Sequence, residues 1–572
     1  MFLKEQQQVK SIIEKLLTFA ACVLCFLPAS PQALQAQDVG DSLLVAIGCG
    51  NCHDGIAKND DLRSKAPDLT FAGEKYNPAY LFSFLQQPEP VRFYLEHERM
   101  PDFRFSEQEA LAVALFLSQQ ISLPENAAQI ETISELLQES NAVISTEART
   151  LIHESTCLQC HKLDGQGETK ALELAKIGYR LNLDWAQKYI VSPQVFGVPE
   201  TRMPSPLFLY DAASDSYQPA VQFAGAKLKK IAAYLFERGA DERNTLQQQF
   251  ERAKVDYPDI SAADGQKIFL SQNCIACHRF APLQPVWDKN APDLSGEGIR
   301  VQREWLSQYL LQIKTLRPLG FYPGSGSRMP DFRLTSAEVS DLTESLMNKT
   351  KRPAKPHAIE ARKLSVFSMN KARALLESRL SCLGCHRLGE KGGIIGPDLS
   401  GLKARLQPEF VFQIIDQPRA TVPHTIMPRI AMPAKTRELI ANYLVQQDVP
   451  AQPVAQPSLT DSPPFFAQQQ SGVVALYQQN CAICHGLDGK GDGVNAAFMP
   501  TAPTNHADTN YMSGRVDDTL FDGIYVGGLI LGKSHLMPGF GEMLSRQQIW
   551  DLVAYMRQLC ECRQPDWAAD NQ

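Results

Sequence analysis

Five pentapeptides of one form, Cys-x-x-Cys-His, dictate how this chain can fold. They are Cys49–His53, Cys157–His161, Cys274–His278, Cys382–His386 and Cys481–His485, at intervals of 108, 117, 108 and 99 residues. A period near one hundred residues is one small domain, so an internal repeat must be settled before any other reading. The repeats fill the 572 residues and leave no room for a separate catalytic domain. Of the 14 cysteines, ten lie in these pairs, Cys22 and Cys25 stand near the N-terminus, and only Cys560 and Cys562 remain.

The spacing has a chemical reason. Two thiols three positions apart add to the two vinyl groups of one haem, and the histidine that follows supplies a nitrogen to the iron from beneath. A zinc ribbon would need two Cys-x-x-Cys knuckles close together, and these lie about one hundred residues apart. A thioredoxin-type redox pair would need a βαβ setting, which the pattern lacks. The cofactor expectation is therefore five covalent haem c groups. Their attachment residues are Cys49, Cys52, Cys157, Cys160, Cys274, Cys277, Cys382, Cys385, Cys481 and Cys484, and their proximal ligands His53, His161, His278, His386 and His485.

One Met-Pro follows each motif, at Met100, Met203, Met329, Met427 and Met537, between 41 and 52 residues after the histidine. A thioether is a soft sixth ligand that raises the iron potential, and the proline keeps a helix from running through it. A lone methionine would be read as core filler; five in register are read as axial ligands. In the fourth repeat Met432-Pro433 competes. Flank alignment sets Met432 where Phe105 and Leu334 stand in repeats one and three, an apolar packing position, and so favours Met427. Outside the motifs, His97, His153, His357, His424, His506 and His535 are competing distal ligands, with loop or surface histidine the default.

Segments of helical periodicity precede each motif and follow each Met-Pro. Between them recur Tyr80, Trp185, Trp305 and Phe410, read as core packing ahead of a haem-edge contact. Pro67-Asp68-Leu69, Pro292-Asp293-Leu294 and Pro397-Asp398-Leu399 recur after three motifs, and Arg99, Arg202 and Arg328 precede three of the methionines. Those arginines are candidates for pairing with haem propionates, with solvated loop charge the equal alternative.

On these residues the pattern resembles the class I cytochrome c family in tandem. The resemblance implies an all-α fold of five small domains, each a few helices wrapped around one low-spin haem with His and Met ligands. The domains are expected at 38–125, 140–240, 258–352, 365–448 and 471–563. A Pro- and Gln-rich linker at 449–470 sets off the fifth, which is Gly-rich after its motif and lacks the aromatic element. The Cys560-Glu561-Cys562 tail departs from the family. A local disulfide, a bond to another chain and free thiols all stay open.

Residues 1–36 read as a signal peptide: Lys4, Lys10 and Lys15 precede an apolar run at 16–27, too short to span a bilayer. Cleavage is expected after Ala36, the rivals being an uncleaved anchor and, less favoured, a lipoprotein acylated at Cys22, which sits inside the apolar run; the periplasm is the expected compartment. A net charge of −7 offers no basic footprint for nucleic acid. The expected role is electron transfer between redox protein donors and acceptors, with a membrane-bound dehydrogenase or oxidase among the candidates and no small-molecule substrate evident. The rivals are a redox subunit of a larger oxidoreductase complex, and a peroxidase-like enzyme should one iron lack its methionine.

Overall fold

The computed structural model describes residues 31–89, 99–121, 145–154, 156–191, 193, 203, 208–211, 216–219, 225–281, 291–321, 325–423, 425–452, 457–460 and 472–569. Helices dominate among the described residues, and beside shorter turns of helix each repeat contributes three principal ones: one leading into its Cys-x-x-Cys-His, one in the middle and one closing the unit. In unit 1 these are Pro31–Ala46, Pro78–Gln86 and Glu107–Ser118, and in unit 2 Ser145–Glu154, Leu183–Val191 and Gly225–Arg238. Unit 3 has Ala262–Ser271, Arg303–Leu311 and Ser336–Met347; unit 4 has Val366–Ser378, Pro408–Asp416 and Ala434–Leu444. Unit 5 has Val473–Asn480, Asp517–Val526 and Arg546–Leu559.

Local sequence explains their starts. Ser106 with Glu109, Ser261 with Asp264, Thr335 with Glu338 and Ser545 with Gln548 form reciprocal capping boxes. Each satisfies two otherwise orphan N–H groups, and a cap of this kind is worth about 1 kcal/mol. Among the described residues, strand is confined to two-residue hairpins after the second and fourth motifs and one hairpin pairing Phe208–Asp211 with Ser216–Pro219. Gly167 and Gly392 close the short hairpins at positive φ, where a Cβ would sit 2.2 Å from the carbonyl of His161 or His386. Only glycine fits there.

Units 1 and 3 do not close on themselves. The leading helix of unit 1 sets Leu43, Leu44 and Ile47 against Val339, Leu342 and Leu346 of the closing helix of unit 3. Reciprocally, Ile268 and Phe269 of the unit 3 leading helix bury among Leu111, Phe116 and Leu117 of unit 1. Glycines permit both crossings. A Cβ on Gly40 would lie 2.2 Å from the Asp341 carbonyl oxygen, and one on Gly265 only 1.9 Å from that of Ala112. The boundaries 38–125 and 258–352 therefore cut across two composite globules. One joins the third motif to residues 66–89 and 105–120; the other joins the first motif to residues 291–313 and 332–351.

The chain crosses between the globules where Asp102 and Asp331 exchange both backbone hydrogen bonds, at 2.8 and 2.7 Å. Around that point the contacts are reciprocal. Arg328 makes a buried pair with Glu109 at 2.7 Å, and Arg99 pairs with Glu338. Arg104 donates to the carbonyl of Met329, and Arg333 to that of Met100. Arg99 and Arg328 thus each hold a helix N-terminus of the opposite repeat; Arg202 lies outside the described residues.

Two further departures concern the connections. Ala240–Asp256, between the expected second and third domains, is a helix whose Leu246, Phe250 and Ala253 enter the unit 1 core. The linker 449–470 is pinned at Leu459, which is buried in that core and donates its N–H to Glu109 at 2.8 Å. An apolar side chain within a polar linker is better buried than solvated. At the N-terminus, the helix Pro31–Ala46 runs across the expected cleavage position, and residues 1–30 lie outside the described residues. No described helix is long and apolar enough to cross a membrane.

Candidate haem-attachment sites

All five motifs fold into the same turn. The N–H of each histidine donates to the carbonyl of the first cysteine, at 2.9 Å for His53, His161, His386 and His485 and 3.0 Å for His278. One helical turn therefore brings the two thiols to one side and swings the imidazole out next to them.

Each imidazole is then fixed by a second backbone carbonyl. Nδ1–H of His53 donates to Pro292 at 2.8 Å, His161 to Leu172 at 2.6 Å, His278 to Pro67 at 2.9 Å, His386 to Pro397 at 2.7 Å and His485 to Thr504 at 2.8 Å. A carbonyl can only accept, so the proton sits on Nδ1 and the Nε2 lone pair is left as a donor. The recurrent Pro-Asp-Leu loops are the source of three of these carbonyls. For units 1 and 3 the partner is exchanged: the Pro67 loop serves His278, and the Pro292 loop serves His53. Fourteen positions separate His53 from Pro67 and His278 from Pro292, against eleven from His386 to Pro397. The longer loop belongs to the two units that cross over.

Electrostatics keep the ligands in the right form. Burial pushes His53 down to about 4, against the raising effect of the Pro292 hydrogen bond, and lowers His161, His386 and His485 also. A neutral imidazole is the metal-binding form. Burial pushes the thiols of Cys49, Cys274, Cys277, Cys385 and Cys481 up to about 12, and Cys382 to about 11. Such sites hold neutral sulfur, which suits thioether formation and disfavours a zinc thiolate knuckle.

The surroundings also suit the carboxylates of a haem. Arg300, Arg317 and Arg405 converge near His53 and His386, and burial holds Arg317 and Arg405 down at about 10. Arg300 is engaged by Glu297 and the Asp293 carbonyl, and Arg405 by the Asp398 carbonyl. More cation than anion is buried there, and buried charge requires a partner. Two propionates per haem would supply the missing charge.

The segment before Met329 is anchored beside the third motif, since Arg328 N–H donates to Gln272 Oε1 at 3.1 Å and Gln272 Nε2 donates to the Gly326 carbonyl at 2.9 Å. The Met537 carbonyl accepts from Gly528 at 3.1 Å. Met427 N–H donates to Thr425 Oγ1 at 3.2 Å, whereas Met432 packs on the apolar core of unit 4, as Phe105 does in that of unit 1. Met203 is described, but its flanks lie outside the described residues.

Among the competing histidines, His506 stacks face to face on His485, with ring centroids 4.1 Å apart, and its Nδ1 shares a 3.0 Å hydrogen bond with the Tyr477 hydroxyl. It supports the proximal imidazole and does not oppose it. His357 pairs with Glu409 at 2.6 Å, and His153 ends the leading helix of unit 2. His535 has a buried Nε2 without a hydrogen-bond partner. His97 and His424 lie outside the described residues. Tyr80 and Trp185 are core residues, and the Tyr80 hydroxyl also accepts a 2.5 Å bond from Arg180 of unit 2. Cys560 and Cys562 form a disulfide.

A cysteine pair one turn ahead of a histidine whose Nδ1–H is pinned to a carbonyl defines a c-type haem protein. Two stretches, residues 262–349 and 473–560, match the Cytochrome c family model. The chain thus carries two cytochrome c domains, whose chemistry is haem-based electron transfer. The first match runs continuously through the third repeat, although its leading and closing helices lie in different globules. No characterised protein and no solved structure matches the chain.

Proposed function

We propose that this protein is a five-haem, exported electron carrier, binding one haem c at every Cys-x-x-Cys-His and passing electrons between separate redox proteins in the periplasm. The observation that carries the reading is the recurrence, in units 1, 2 and 4 as well as in the two matched units, of the same turn and the same Nδ1-to-carbonyl bond. Haem held in such a site supplies a one-electron iron couple at a potential set by its ligands and surroundings. The chain's own contribution is to fix the imidazole tautomer, to bury the site and to set cations near the carboxylates.

Met100, Met203, Met329, Met427 and Met537 are the sulfur donors of this reading. With both axial positions filled, no iron is left open to a substrate, which makes a carrier role the simplest function. An alkaline pyridine haemochrome assay on purified protein is expected to return five covalent haems per chain, and the spectrum of the native oxidised protein is expected to show the weak far-red band of Met-ligated ferric haem. A count of two would confine haem to the matched units and end the five-haem reading. Replacing Met537 by Ala is expected to remove about one fifth of that far-red band without changing the haem count, since thioether attachment does not depend on the distal ligand.

A further inference from the structure

The motifs do not neighbour one another in the order of the sequence. Those of units 1 and 3 touch directly: Asn51, inside the first Cys-x-x-Cys, donates from Nδ2 to the carbonyl of Ala276, inside the third, at 2.9 Å. Asn273 reaches across to Cys52, and Cys49 and Cys52 both lie near enough to Cys277 to couple with its thiol. The motifs of units 4 and 5 meet in the same way. Asn495, wholly buried, donates to the Gly384 carbonyl at 3.0 Å and to Cys484 Sγ at 3.3 Å, while its Oδ1 accepts from Ile394 N–H at 2.9 Å. Ile394, Ile395 and Ile483 close around Cys385 and Cys484.

Two other contacts join these pairs to the rest. Where the middle helices begin, the globule holding the third motif exchanges backbone bonds with unit 2, Asn77 N–H to Arg180 and Asn182 N–H to Lys75, both at 3.0 Å. The globule holding the first motif does the same with unit 4, Gln302 N–H to Arg405 at 2.9 Å and Gln407 N–H to Arg300 at 3.0 Å. The side-chain amides of Asn77, Asn182, Gln302 and Gln407 repeat the exchange. The Arg300–Arg317–Arg405 cluster lies at this second junction.

We propose that the protein sets its five attachment sites in single file, in the order His161, His278, His53, His386, His485. The first motif of the sequence is then the middle of the file, and units 2 and 5 are its ends, where electrons enter and leave. Contacts along the file alternate between cysteine edge to cysteine edge and the paired backbone exchanges at the starts of the middle helices. The proposal rests on the five-haem reading, and haem counting separates failure of one from failure of the other.

The test is coulometry on the full-length holoprotein tethered to gold through Lys490→Cys, an exposed position in unit 5. Fast voltammetry counts the haems in electronic contact with the electrode, and the haemochrome assay on the same sample counts those bound. With all motifs intact both counts should be five. Removing the file's centre with C49A/C52A should leave four bound and two connected, whereas a file in sequence order would keep four connected. Removing the end with C157A/C160A should leave four bound and four connected, whereas sequence order would leave three. Unit 2 packs its own core, so this second variant decides the matter even where the first fails to accumulate. Four connected haems in C49A/C52A, or three in C157A/C160A, would overturn the file. Fewer than five bound haems in the unaltered protein would instead overturn the five-haem reading.

Discussion

Valine in place of Gly265 is expected to loosen unit 1 and unit 3 together while leaving units 4 and 5 intact. Gly265 lies on the leading helix of unit 3, where it meets the closing helix of unit 1, not that of its own repeat. Even alanine would place its Cβ 1.9 Å from the Ala112 carbonyl oxygen and 2.7 Å from Phe116 Cβ. The opposing helix has no room to retreat. Its other faces are held by Phe82 and Leu85 of the middle helix and by Leu246 and Phe250 of the inter-unit helix. Overpacking of this kind costs ~3 kcal/mol, at the upper end of what core insertions show. Hydrogen exchange should find faster exchange in Glu107–Ser118 than in Ser336–Met347. Protection lost in the latter and kept in the former would mean that unit 3 closes on itself. Gly514→Ala, whose nearest neighbour would be 3.6 Å away, is the matched control and should change nothing.

That prediction could not have been drawn from the sequence, and the reason is physical. Motif chemistry is local: five residues set the turn and the thiol pair, and in units 2, 4 and 5 a carbonyl eleven or nineteen positions on sets the tautomer. Capping boxes at Ser106, Ser261, Thr335 and Ser545 and apolar spacing at Ile268 and Phe269 likewise declare the helices. Which closing helix a leading helix meets is another matter. Units 1 and 3 share Met-Pro-Asp-Phe-Arg at Met100 and Met329 and similar helices, so nothing local in the sequence separates home from exchanged pairing. What distinguishes them lies in side chains that read as ordinary. Asn51 and Asn495 join motifs, Leu459 pins a linker, and Arg99 and Arg328 read equally well as haem partners until the carboxylates of Glu338 and Glu109 stand opposite them. His506 shows the same limit, since a histidine twenty-one residues from His485 gives no sign that it stacks on it. Even the longer His-to-Pro loops in units 1 and 3 acquire meaning only once the crossover is seen.

Removing the Glu109 carboxylate should cost more than any other single polar change in these two globules, about 3–5 kcal/mol, because it strands a buried guanidinium. Glu109 serves four groups at once. It closes the capping box with Ser106, takes both terminal nitrogens of Arg328 at 2.7 and 2.9 Å, and accepts the Leu459 N–H. Burial by itself would raise its pKa, but the Arg328 hydrogen bonds and charge, with the two backbone donors, outweigh burial and hold it below the ordinary glutamate value. The sign of the pH dependence follows. A carboxylate depressed in the native state stabilises the fold fully above its unfolded value of about 4.3 and loses that contribution as pH falls through the lower native value. Chemical denaturation of Glu109→Ala should therefore show a loss at pH 7 that shrinks progressively below pH 4, as the unaltered protein forfeits the same contribution. Glu109→Gln keeps hydrogen-bonding capacity at the helix start and should lose less. Limited proteolysis should cut the Glu109→Ala chain near Leu459 first, because the carboxylate is also what fastens the linker. The mirror variant Glu338→Ala, which removes the carboxylate facing Arg99 at the other crossing, should fall short of it: Arg99 is more exposed than Arg328, with 19% of its side-chain surface accessible against 6%, and it also donates to the Arg333 carbonyl. Equal losses at the two crossings would argue that the charge pair matters less than the capping boxes, which are alike in both.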